Sequence, residues 1–168
     1  MKKIILIIPV LIMCSFLFGG KLKSDLESYA NLMSAQQHLV EDKNIDNLLD
    51  KIAKDDAEAF YDLIEFLQGN YTTSLQSYLT EIKKINPTTI DVKFLHKKFV
   101  EAYTALYKGL TAARNLDIAT LQAAQSDFDA ELPGEYNEFQ LGMQIFTIKM
   151  KTYAVLSQEL FFLASLEQ

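Results

Sequence analysis

The chain has 168 residues, 49% of them hydrophobic and 23% charged, with a net charge of −6 at neutral pH. That balance argues against binding nucleic acid or anionic lipid headgroups through bulk electrostatics. A single cysteine, Cys14, excludes an internal disulfide and any Cys-based metal site in the body.

Residues 1–20 read as a signal peptide or anchor. Lys2 and Lys3 form a positive start, Ile4 to Phe18 is apolar apart from Pro9, Cys14 and Ser15, and Gly19-Gly20 supplies small residues before Lys21. The run is shorter than the about 20 apolar residues of a spanning helix, and it has no polar face for a soluble core helix. Three fates stay open. Leu11-Ile12-Met13-Cys14 resembles the bacterial lipobox, with the thiol of Cys14 as lipidation site, although Met13 stands where that box has Gly, Ala or Ser. The second fate is cleavage near Gly19 or Gly20, and the third is an uncleaved anchor. Each places residues 21–168 outside the cytoplasm. Without Lys2 and Lys3 the body keeps 14 basic against 22 acidic residues, a net charge of −8. Its 148 residues suffice for one domain with a real core.

The body predicts an all-α fold, since Ala, Leu, Glu, Lys and Gln abound and no long run alternates with β-branched residues. A first helix over about 22–41 puts Leu22, Leu26, Tyr29, Met33 and Val40 on one face. A second, about 45–68, carries Ile45, Leu49, Ile52, Phe60, Leu63 and Leu67, and ends at Gly69-Asn70. A third, about 71–85, stops at Asn86-Pro87, because the residue before proline avoids the helical region. The fourth spans about 90–114, where Gly109 either lets another helix approach closely or marks a mild bend. Asp117 is the expected N-cap of a fifth helix reaching Ala130, with Leu116 packing on Leu121. After Pro133-Gly134 the last helix, about 135–166, is apolar nearly all round and is expected to be central or to be buried against a partner. Short connections make this an up-and-down antiparallel bundle of five to six helices, in one domain over 21–168.

Two residues stand out as a pocket. Asp56 falls on the apolar stripe of the second helix, where a carboxylate must be paired, hydrogen-bonded or neutral. His96 sits beside Leu95 and Phe99, and either His96 or Arg114 is a candidate partner for Asp56. The bland alternatives are a paired charge and a core-edge histidine bonded to a carbonyl or side chain. His38 is expected on a polar face. Asp55, Glu58, Asp62 and Glu65 form an acidic stripe that Lys51 and Lys54 partly offset, which is the pattern of a solvated face. No metal or cofactor is expected: there is no C-x-x-C-H, no Glu-x-x-His pair and no EF-hand loop. Without a G-x-S-x-G elbow or a phosphate-binding glycine loop, no catalytic residue is assigned.

The run 86–117, with Pro87, His96, Ala102, Ala105, Gly109 and Asp117, resembles a pattern in uncharacterised small exported bacterial proteins, many of them lipoproteins. The resemblance covers about a fifth of the chain. It implies a helical bundle outside the cytoplasm and no particular activity.

The expected function is a non-enzymatic binding module at the bacterial cell envelope. It would dock a protein or amphipathic ligand on the last helix and reach the membrane through its N-terminal segment or lipid. The alternative is a small-molecule or metal-binding bundle with Asp56 and His96 in an internal pocket.

Overall fold

A computed structural model describes residues 20–52, 54, 57–127 and 130–166. Among these, seven α-helices occur and no strand: α1 (Lys21–Gln36), α2 (Lys43–Ile52), α3 (Ala57–Leu67), α4 (Tyr71–Ile82), α5 (Ile90–Arg114), α6 (Ile118–Ser126) and α7 (Gly134–Leu166). The all-α bundle expected from composition is therefore the fold. Cys14 and Asp56 lie outside the described residues.

Two boundaries differ from the sequence reading. The first helix ends at Gln36 and tightens into a 3-10 turn over Gln37–Leu39, as helix ends commonly do. The expected 45–68 helix is two helices, with Lys54 in a turn where its N–H donates to the Lys51 carbonyl at 2.9 Å. Asp55-Asp56 is the sequence cause at hand, because aspartate favours caps over helix interiors.

The centre of the bundle is α5, and the expectation that the last helix would be central is corrected. α5 buries residues along its whole length, from Val92 through Phe99, Ala105 and Gly109 to Ala113, and packs on α1, α3, α4 and α7. Its main neighbour is α7 rather than the α6 that follows it. The two run antiparallel, with Glu101 beside Lys149 and Gly109 beside Gly142. One contiguous core collects Leu26, Ile45, Leu63, Leu75, Leu110, Leu121 and Phe139, so all seven helices share it.

Small residues set the α5–α7 spacing. A Cβ on Gly142 would lie 2.7 Å from the Gly109 Cα and 2.9 Å from the Ala105 carbonyl oxygen, closer than carbon atoms pack. A Cβ on Gly109 would meet the Gly142 Cα and the Phe139 carbonyl oxygen at 3.2 Å, a tight but smaller conflict.

A carboxylate orients α1 against the start of α5. Asp25 is buried and accepts from the Thr88 and Thr89 backbone N–H groups at 2.9 and 2.8 Å, and from the Thr89 hydroxyl at 2.6 Å. Thr89 is itself the N-cap, accepting from Val92 N–H. A negative charge there also complements the positive end of the helix dipole. Burial pushes the Asp25 carboxyl up, but the hydrogen bonds from Thr88 and Thr89 together outweigh it and hold it below 3.8. At the cap expected for the fifth helix, Asp117 accepts from Thr120 N–H at 3.2 Å, and Leu116 and Leu121 are both buried in the core.

Two outcomes follow for stability in urea. Gly142→Ala should destabilise by about 1–3 kcal/mol, because the backbone overlap exceeds the about 1 kcal/mol that alanine gains over glycine in a helix; Gly109→Ala should be near neutral. Asp25→Ala should cost about 1–3 kcal/mol by orphaning its donors. The folded carboxyl lies below its unfolded value, so its contribution is present at neutral pH and lost as pH falls below 3.8 through the folded pKa. The variant should therefore show a flatter acid limb.

Candidate functional site

The close approach of α5 and α7 shapes the surface above it. Ala105, Ala112 and Gly142 lack side chains long enough to fill the furrow between the helices, which leaves a groove of about 1140 Å³. Val100, Leu141 and Ile145 make its apolar walls. Its charges are ordered by the antiparallel register. Glu135 and Glu138 lie at the end where α7 begins, followed by Lys108, and Lys97 lies toward the other end. Between them Lys149 Nζ meets Glu101 Oε2 at 2.6 Å, with Lys98 at 3.5 Å on the same oxygen. The hydrogen bond from Lys149 holds the Glu101 carboxyl below its usual range. Both side chains are partly solvated, so the pair contributes at most about 1 kcal/mol.

An apolar strip continues from the groove along α7. Phe139, Gly142, Phe146, Met150 and Ser157 face inward. Leu141, Ile148, Val155 and Phe162, one every seven residues, face solvent at 56, 63, 55 and 65% exposure. Seven residues fall about 20° short of two full turns, so the strip winds gently to the left around the helix. The row leaves one apolar edge of α7 open to solvent.

The two histidines separate as expected. His38 is exposed, its Nδ1 donating to the Ala35 carbonyl at 2.9 Å. His96 is buried in an aromatic cluster of α1, α4, α5 and α7, its ring edge-on to Tyr29 with centroids 5.5 Å apart. Tyr78 packs on Tyr103 at 5.2 Å, and Phe99 lies between Tyr103 at 4.5 Å and Tyr153 at 5.0 Å. The Tyr29 and Tyr78 hydroxyls and His96 Nδ1 are buried without a hydrogen bond of regular geometry among the described residues. Burial, then the neighbouring Tyr153 hydroxyl, pushes the Tyr29 phenol far up; burial, then Tyr103, does the same to Tyr78. Burial lowers the His96 pKa below 6.5, and the nearby Ile82 backbone only partly offsets it. The cluster is thus neutral.

Arg114, the other proposed partner of Asp56, donates from Nη1 to Thr72 Oγ1 at 3.1 Å. Glu58, Asp62 and Glu65 are exposed, as a solvated face requires. Among the described residues, no three His, Cys, Asp or Glu side chains are grouped to hold a metal ion, and no helix is long and apolar enough to cross a membrane.

Sequence reasoning missed Asp25, Tyr29 and Tyr78. The argument that singled out Asp56 applied equally to Asp25, which falls on the same stripe as Leu22, Leu26 and Tyr29. The tyrosines read as core, and which hydroxyls converge depends on helix placement.

No family model, curated protein or solved structure matches this chain. The fold and the α5–α7 surface together define an all-α bundle with an apolar seam on its longest helix.

His96 carries a pH dependence. Its folded pKa lies below 6.5, so the unfolded chain takes up the proton first. Stability should be undiminished by this group above pH 6.5 and fall as pH drops from there toward the folded pKa. His96→Gln should flatten that slope in urea melts taken between pH 7.5 and the onset of carboxylate titration.

Proposed function

We propose that this protein is a non-enzymatic binding module of the bacterial cell envelope, one that takes an amphipathic helix of a partner protein on its α5–α7 face. The observation that carries this is the solvent-facing row Leu141, Ile148, Val155 and Phe162. Three heptads of α7 span about 32 Å at 1.5 Å per residue, a length that one partner helix covers by inserting its own apolar ridge.

The groove's charges favour this occupant. Acidic residues at the Glu135–Glu138 end and lysines toward Lys97 suit a helix basic at one end and acidic at the other. An anionic membrane surface suits it poorly, given a net charge of −8 for residues 21–168. A second copy of this chain in antiparallel register would bring Lys151 of each copy near the two-fold axis, setting like charges together. The envelope location rests on the composition of residues 1–20, with lipidation at Cys14 or cleavage near Gly20 as the route.

Photocrosslinking in whole bacteria tests this. p-Benzoylphenylalanine at Ile148 or Val155 should give a discrete adduct with a second protein, and at Glu58 or Asp62 none. An Ile148→Asp change placed beside the probe at Val155 should reduce that adduct at least tenfold while the far-ultraviolet circular dichroism stays unchanged. An adduct of dimer mass, or equal labelling at all four positions, would overturn the reading. Intact mass of the membrane fraction gives the anchor separately: a lipidated Cys14, or an unmodified start at Gly20 or Lys21.

A further inference from the structure

We infer that one end of the bundle rests on an anionic lipid surface: the end formed by the starts of α1 and α5 and the close of α7. Docking of a partner helix at Ile148 uses the side of α7 instead, and the lipid contact does not depend on it. Three helix ends meet here. Asp25 ties the first turns of α1 to Thr88 and Thr89 at the head of α5. Phe99 packs on Tyr153 across the antiparallel α5–α7 pair, so an equal rise along each helix brings Ile90 and Phe162 to one level. Large apolar side chains are bare at this end: Ile90 at 80%, Phe94 at 47%, Leu163 at 50% and Leu166 at 60% exposure.

The charge of the chain is unevenly placed. Residues 21–27, 81–98 and 157–166, which make up this end, hold seven lysines against five acids, a balance of +2. Residues 21–168 carry −8 in all, so the remainder carries −10. Its acids include Glu58, Asp62, Glu135 and Glu138, toward the end where Phe60 packs on Tyr136. The 25 residues of α5 span about 37 Å, well beyond the about 8 Å over which charges act at physiological salt. A surface at the α5 start therefore meets the lysines. Of the five acids, Asp25 is buried on its α5 donors and Glu81 is paired with Lys84 at 2.6 Å. Lys21, Lys83, Lys93 and Lys97 are exposed. Apolar tips entering the headgroup boundary, with lysines reaching the phosphates around them, form an interfacial contact. The connection to residues 1–20 favours this occupant over another protein. Only Gly19 and Gly20 separate the apolar run ending at Phe18 from Lys21, the first residue of α1. A membrane that takes up that run is held beside this end of the bundle.

The chain contains no tryptophan, so a single introduced one reports its own position. The full chain is reconstituted on vesicles of phosphatidylglycerol and brominated phosphatidylcholine. Phe94→Trp and Leu163→Trp should each lose at least half of their emission to the brominated lipid, and Glu58→Trp almost none. Omitting phosphatidylglycerol, or adding Lys93→Glu with Lys97→Glu, should weaken quenching at Phe94→Trp at least twofold while the chain still floats with the vesicles. Ile148→Asp should leave quenching unchanged, which separates this contact from the partner-helix reading. Unquenched emission from both probes on vesicle-bound chain overturns the inference, as does equal quenching at Glu58→Trp or a chain that does not float. Quenching that ignores phosphatidylglycerol and both lysine changes overturns the anionic specificity. A blue shift of both probes already complete without vesicles marks burial against a second copy and overturns the inference as well.

Discussion

The contact between Gly109 and Gly142 governs the rest of the architecture. Two helices can approach this closely only where position 142 carries no Cβ and position 109 carries a small residue, and here the backbones themselves form the interface. Dispersion attraction falls steeply with separation, so a tight backbone contact along two long helices is a strong positional constraint. It places α7 flat along α5 and so determines which of its apolar residues are buried. The inward face of Phe139, Phe146 and Met150 enters the core, and the row through Ile148 is turned to solvent. The same small residues leave the furrow that becomes the groove.

Asp25 provides the second fixed point. A buried carboxylate is tolerable only where hydrogen bonds replace its lost hydration, and the first amides of α5 are the donors that a helix start leaves unpaired. The interaction is mutual: α1 supplies the acceptor and α5 the donors, so α1 is held in register against the central helix. On α7 the polar contacts are sparser: the Glu101–Lys149 pair is partly solvated, and Tyr153 meets the Tyr29 hydroxyl inside the core. That helix is held by packing, and its outer face is free to serve another purpose.

The interior is less uniformly apolar than its composition suggests. Tyrosines are large apolar bodies with one polar tip; several pack around Phe99, and Tyr29 and Tyr153 bring their hydroxyls together. Polar tips in a core favour one arrangement over others, since sliding any helix would break what satisfies them. The neutral state of His96 belongs to the same environment: the aromatic cluster that excludes solvent also disfavours its charge.

Helix content, most helix ends and the cap at Asp117 were legible in the sequence, because propensity, proline and capping act within a few residues. The close approach at Gly109 was legible too, since glycine inside a helix asks for a reason. The split between α2 and α3 was visible only in hindsight, through Asp55-Asp56. The sequence by itself determined an all-helical body with an oily last helix. Only the tertiary structure decided that α5 sits at the centre and that one of α7's two apolar faces is exposed. It also decided that Asp25, Tyr29, Tyr78 and His96 meet partners far along the chain. The reason is that periodicity shows which residues share a face, whereas which face is covered depends on how closely a distant helix can approach.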